Sequence, residues 1–138
     1  MFLFHKRSFT ALLSLCLSAG GALAEDVMNA EEFDTYTRGK TLFYGQGGVS
    51  YGAEKYMDNR RVRWSFLDGE CKEGQWYEEA GQICFIYEDN IDSPQCWTFR
   101  EKGAGLVAEF QNEPGTTDLY EAGNLGEEMV CLGPEVGV

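Results

Sequence analysis

Four kinds of residue in this chain have types and spacings that could carry chemistry. Cys71, Cys84, Cys96 and Cys131 are an even set of thiols with no Cys-x-x-Cys among them. In an oxidising compartment that pattern means two structural disulfides, not thiol–disulfide exchange. Glu78, Glu79, Glu88, Asp89 and Asp92 fall in two adjacent turns, where two carboxyls could hydrolyse a glycoside. That reaction needs one acid of raised pKa and a separation of about 5 Å or about 7–9 Å. With 23 Asp and Glu in the chain, a solvated acidic surface explains the cluster more simply. The run Glu88-Asp89-Asn90-Ile91-Asp92 offers hard oxygens to calcium but lacks the spaced acidic pattern of a known loop, so no metal is assigned. Arg60, Arg61 and Arg63 form the sole basic cluster. Arg61 and Arg63 are candidate contacts for an anionic ligand, and cross-strand pairing with an acid such as Glu73 is the alternative. Last, Trp64, Trp76 and Trp97, with Tyr51, Tyr77 and Tyr87, could line a pocket for an apolar ligand or a sugar. Otherwise they are the core of a small curled sheet.

The compartment follows from the first 24 residues. His5, Lys6 and Arg7 precede the apolar stretch Ala11–Leu17, and Ala22-Leu23-Ala24 forms an A-x-A cleavage site. Leu13-Ser14-Leu15-Cys16 loosely resembles a lipoprotein box, but Leu15 stands where a small residue belongs. Cleavage after Ala24 is therefore expected, giving a periplasmic or secreted protein. The 114 residues from Glu25 to Val138 then hold nine Lys and Arg against 23 Asp and Glu, a formal charge of −14. They contain no histidine, which removes imidazole-based nucleophilic catalysis and most catalytic zinc sites. The negative balance repels phosphate backbones, so nucleic acid is excluded and a cationic protein surface or a small molecule is the expected partner. No later apolar run reaches the length of about 18 residues that a membrane span needs.

The elements that must position these residues begin with a short helix. Asn29 and Glu32 have capping-box spacing, Met28 and Phe33 that of a hydrophobic staple, and Gly39 is placed to stop the helix. Phe33 and Tyr36 share one face, which would plug the end of a sheet. After Gly39 the apolar period changes to two. Strands are expected over Thr41–Tyr44, Val49–Met57, Arg61–Phe66, Cys71–Tyr77, Gln82–Glu88, Gln95–Arg100, Gly105–Gln111 and Thr117–Glu121. Gly45-Gln46-Gly47-Gly48 reads as a flexible link. In the second strand Tyr51, Ala53 and Met57 fall on one face, with Lys55 breaking the pattern. In the third, Val62, Trp64 and Phe66 face one way. The sum is a single disulfide-stapled domain over residues 25–138 of all-β class, mainly an antiparallel meander forming a small barrel or strongly curled sheet, with one short N-terminal helix. Neighbouring strands would bring Cys84 to Cys96. A turn at Glu79-Ala80 would set Gln75, not Cys71, opposite Cys84, leaving Cys71 for Cys131.

Several stretches carry a resemblance. Gly39-Lys40-Thr41-Leu42, Arg63-Trp64-Ser65-Phe66, Gly74-Gln75-Trp76-Tyr77, Ile83–Glu88 and Pro94-Gln95-Cys96-Trp97 resemble an uncharacterised family of small exported proteobacterial proteins. That resemblance implies the compartment and the strand order, and brings no catalytic residue. Gly74-Gln75-Trp76 is similar to the Gly-x-Trp of lipocalins, although here it falls mid-chain and not in a first strand. It implies at most a lipocalin-like shape. The expected function is a binding or accessory module without cofactor or catalysis. A carboxylate-dependent hydrolase using Glu78 or Glu88, and an accessory subunit of an envelope complex, are the rivals.

Overall fold

Each strand of this protein is hydrogen-bonded to the next one in sequence, and the last returns to the first. The computed structural model describes residues 26–123 and 128–132, and the expected export signal at 1–24 lies outside them. Helix α1 (Ala30–Thr37) leads into β1 (Thr41–Gln46) and β2 (Val49–Tyr56). A 3₁₀ turn (Asp58–Arg60) connects to β3 (Arg61–Ser65), followed by β4 (Lys72–Glu79), β5 (Gln82–Tyr87), β6 (Gln95–Lys102), β7 (Gly105–Phe110) and β8 (Asp118–Ala122). All neighbours are antiparallel, and β8 pairs with β1 through Tyr44 and Glu121, closing an eight-stranded barrel. Closure removes the sheet's edges and gives it one interior.

The helix forms because its first turn is capped. Asn29 Oδ1 accepts from the Glu32 amide at 2.9 Å, and Glu32 Oε2 accepts from the Asn29 amide at 2.9 Å. The Glu78 carboxylate accepts a third orphan donor, the Ala30 amide, tying α1 to the barrel wall. The helix then buries Phe33 completely. Its ring stands edge-on to Trp76 at 5.1 Å and Tyr56 at 5.6 Å and lies tilted over Phe99 at 4.5 Å. Phe33 thus stoppers the end of the barrel from which β1 starts. Gly39, with φ +79°, follows the cap residue Arg38 and lets the chain turn into β1.

Turn chemistry sets the registers, and two expectations are corrected by it. The Gly45–Gly48 segment is not a loose link: β1 continues to Gln46, which pairs with Val49 across a two-residue Gly47-Gly48 turn of φ +58° and +84°. Positive φ at both positions is what a tight hairpin of the right twist requires. The β4–β5 turn is Ala80-Gly81, so Glu79 pairs with Gln82, and Tyr77, not Gln75, lies opposite Cys84. Cys71 still falls far from Cys84, and the bridges are Cys84–Cys96 and Cys71–Cys131. The first joins directly opposed residues of β5 and β6. The second holds the segment 128–132 on the β3–β4 loop, where the Leu132 amide also donates to Gly69 O at 2.7 Å.

The β2 register supplies a third correction. Register turns Gly52, Glu54 and Tyr56 inward; Ala53, on the opposite face by alternation, is buried as well, and Tyr51, beside the register shift at Tyr44/Gly45, still reaches the interior. Glu54 and Tyr56 are buried, and Lys55 between them is exposed. Lys55 therefore marks the outward set and does not interrupt the inward one.

Phe33 is the side chain on which closure of the helix end depends. Phe33→Ala is expected to lower unfolding free energy by about 3–5 kcal/mol, measured by urea denaturation with both disulfides intact. A loss under 1 kcal/mol would show that α1 does not stopper the barrel.

Candidate functional site

Two glycines shape the interior. A Cβ at Gly52 would collide with the Trp64 ring, and one at Gly74 would stand 2.8 Å from the Tyr87 ring. Each ring therefore occupies the space that a neighbouring side chain would otherwise fill, which is how strands carrying Trp and Tyr fit a narrow barrel. What remains between them is a cavity of about 60 Å³. Trp64, Tyr87, Trp97, Phe99, Tyr44 and Tyr56 bound its interior. Tyr51, Phe66 and Lys72 reach it at the end away from the helix, where Phe66 is 49% exposed.

One carboxyl enters this aromatic space. Glu54, inward-facing on β2, is 2% exposed. The Tyr87 hydroxyl donates to its Oε1 at 2.8 Å, while Oε2 is buried without a hydrogen-bond partner among the described residues. Beside it the Tyr44 and Tyr56 hydroxyls bond to each other at 2.7 Å. The contrast with Glu121, near the helix end, is instructive. Glu121 Oε2 accepts both the Tyr36 hydroxyl at 2.7 Å and the Leu106 amide at 3.0 Å. That contact, after burial, helps push the Tyr36 phenol up to about 12. Glu121 is satisfied by the protein, and Glu54 is half satisfied.

Burial sets the electrostatics. Loss of hydration raises the Glu54 carboxyl well above the usual glutamate range, with a smaller upward push from Glu73 and an opposing pull from the Tyr87 hydrogen bond. Burial likewise drives the phenols of Tyr44, Tyr56 and Tyr87 upward. The empty site thus favours uncharged groups. An unpaired buried carboxyl oxygen costs on the order of 1–3 kcal/mol, and a ligand donor would remove that cost.

Of the aromatics singled out in the sequence, Trp64, Trp97, Tyr51 and Tyr87 border the cavity. Trp76 is buried elsewhere, packed on Phe33 with the Arg60 guanidinium 4.5 Å over its ring. Tyr77 lies half-buried opposite Cys84, away from the cavity. Arg63 pairs with Glu73 across β3 and β4, and Arg61 is exposed opposite Gln75. Three of the five acidic turn residues are drawn into structural contacts. Glu78 caps α1, Glu88 Oε1 accepts from the Glu73 amide at 3.2 Å, and Asp89 pairs with Lys72 at 2.7 Å. Among the described residues Glu54 is the one carboxyl bordering the cavity, so the two-carboxyl geometry of a glycosidase is not assembled there.

Glu54, Tyr44 and Tyr56 are functional candidates that the sequence reading missed. Their signal was the alternation Gly52-x-Glu54-x-Tyr56 around an outward Lys55. No family model, curated protein or solved structure matches this chain.

The raised carboxyl makes a pH-dependent prediction. A native state that keeps the Glu54 proton above the unfolded value of about 4.3 is stabilised below that pH. It loses that advantage as pH rises through the native pKa. Glu54→Gln removes the titration while leaving Tyr87 an acceptor. The melting temperature of the variant relative to wild type should therefore rise steadily from pH 4 to pH 8. A difference flat with pH would show that Glu54 is not buried as an acid.

Proposed function

We propose that this protein is an exported, non-catalytic binding module that holds the head of one small molecule inside the barrel. The observation that carries the reading is the unpaired Glu54 Oε2 turned into an aromatic cavity. Buried polar groups are nearly always paired, and a donor from a ligand completes this one. Size refines the picture. Pockets that engulf a drug-sized ligand run to about 300–1,000 Å³, whereas this interior measures about 60 Å³. Only a head group enters, and the remainder of the molecule lies against Tyr51 and Phe66 at the mouth.

The open end suits that arrangement. In an antiparallel meander the β1–β2, β3–β4 and β5–β6 connections all fall at the end opposite α1. At or beside them stand Val49, the first residue of β2, Phe66 and Ile91, three of the large exposed apolar side chains. Exposed apolar surface rimmed by polar residues marks interaction sites. An eight-stranded barrel of this kind has the capacity for one small ligand, as in lipocalins, which supports a lipocalin-like mode of holding. The two disulfides indicate an oxidising compartment, consistent with export through the N-terminal signal and release after Ala24.

Native mass spectrometry of protein gently isolated from its own compartment tests the reading. A retained small molecule is expected. Ala108→Val, which fills part of the cavity from β7, should reduce its occupancy while raising stability by about 0.5–1 kcal/mol. Protein that carries nothing, or occupancy indifferent to the filled cavity, would contradict it.

A further inference from the structure

We propose that the head group held in the barrel is a small organic ammonium, with an N–H of the cation donating to Glu54 Oε2 among the surrounding aromatic rings. This rests on the reading of the barrel as a binding module and specifies the chemistry of its ligand. Four observations converge on a cation. Once ionised, the unpaired oxygen is an acceptor, and a charged donor makes the strongest hydrogen bond to it. Trp64, Tyr87 and Trp97 bound the same space, and aromatic faces attract cations, most strongly where water is excluded. An anionic head would find no positive partner inside among the described residues, because the cation that borders the cavity there, Lys72, stands at the mouth and is paired with Asp89 at 2.7 Å. It would also meet the carboxyl itself. Finally, the net formal charge of the chain, −12, raises the local concentration of cations.

Volume selects the kind of cation. About 60 Å³ is room for on the order of two waters, which matches an ammonium with its first carbon and excludes a sugar ring. The alkyl remainder then leaves through the mouth past Trp64 and Phe66, whose centroids lie 5.4 Å apart.

Binding of this kind moves a proton. The empty site favours the uncharged acid, whereas the ammonium complex requires the carboxylate, so Glu54 releases its proton as the cation enters. The titratable and charged groups around it are Tyr44 on β1, Tyr56 on its own strand, Lys72 and Glu73 on β4, and Tyr87 on β5. Among these groups Glu54 is the carboxyl that the ammonium would contact.

The experiment titrates the intact, disulfide-bonded protein with n-butylammonium, butan-1-ol and butyrate. Readouts are the fluorescence of Trp64 and Trp97 and calorimetry in two buffers of different ionisation enthalpy. Butylammonium is expected to bind at least about ten-fold tighter than butanol, with proton release, and butyrate not at all. Glu54→Gln should cost butylammonium about ten-fold and abolish the proton release while leaving butanol unchanged. Butanol or butyrate binding as tightly as butylammonium, or a Gln variant that binds the cation normally, overturns the ammonium assignment while leaving the binding reading standing. Failure of all three probes, in a protein that also retains nothing from its own compartment, overturns both.

Discussion

A closed barrel of eight strands has a single narrow interior, and every second residue of each strand must be accommodated there. The packing in this protein follows from that constraint. At the helix end the space is taken by Phe33 wedged among Tyr56, Trp76 and Phe99. Farther along, Gly52 and Gly74 yield their places to the rings of Trp64 and Tyr87. Between these levels the filling is incomplete, and the one carboxyl that register sends inward on β2, Glu54, opposite Leu42 and Trp64, has a partner for one oxygen and none among the described residues for the other.

That half-satisfied group separates a structural core from a site. Glu121, half-buried, shows that the fold can pair an inserted carboxyl, through Tyr36 and the Leu106 amide. The barrel does not do so for Glu54. A carboxyl replaced there by an apolar residue would let the core close, and buried acids without full pairing are destabilising. Retaining one beside an unfilled space fits a protein whose stability is partly given over to a ligand, with two disulfides to offset the loss.

Much of the architecture was legible in the chain. The Asn29–Glu32 capping box, the inward pair Val62 and Trp64, and the pairing of Cys84 with Cys96 all act locally or across one hairpin, where spacing and turn residues decide the outcome, whereas β3 ends at Ser65 and leaves Phe66, expected on the same face, 49% exposed. Tertiary register was harder to read. In β2 both Ala53 and Glu54 are buried, and Glu54 stayed hidden because a glutamate beside a lysine reads as surface. Trp76 was indistinguishable from Trp64 and Trp97 by type. Only the position of α1 shows that Phe33 covers it while the other two border open space. The turn at Ala80-Gly81 was displaced by one residue in the sequence reading for a related reason, since an alanine at φ +51° gives no compositional warning.

The central claim is that Glu54 is a protonated acid in a dry aromatic interior whose second oxygen has no hydrogen-bond partner among the described residues until a cation takes the place of its proton. The infrared difference spectrum of wild type minus Glu54→Gln, taken at about pH 6, where an exposed glutamate is ionised, tests it most directly. A band from a protonated, weakly hydrogen-bonded carboxyl, converted to carboxylate when butylammonium is added, is the predicted result. A spectrum showing only a hydrated carboxylate, unchanged by the cation, would contradict the account.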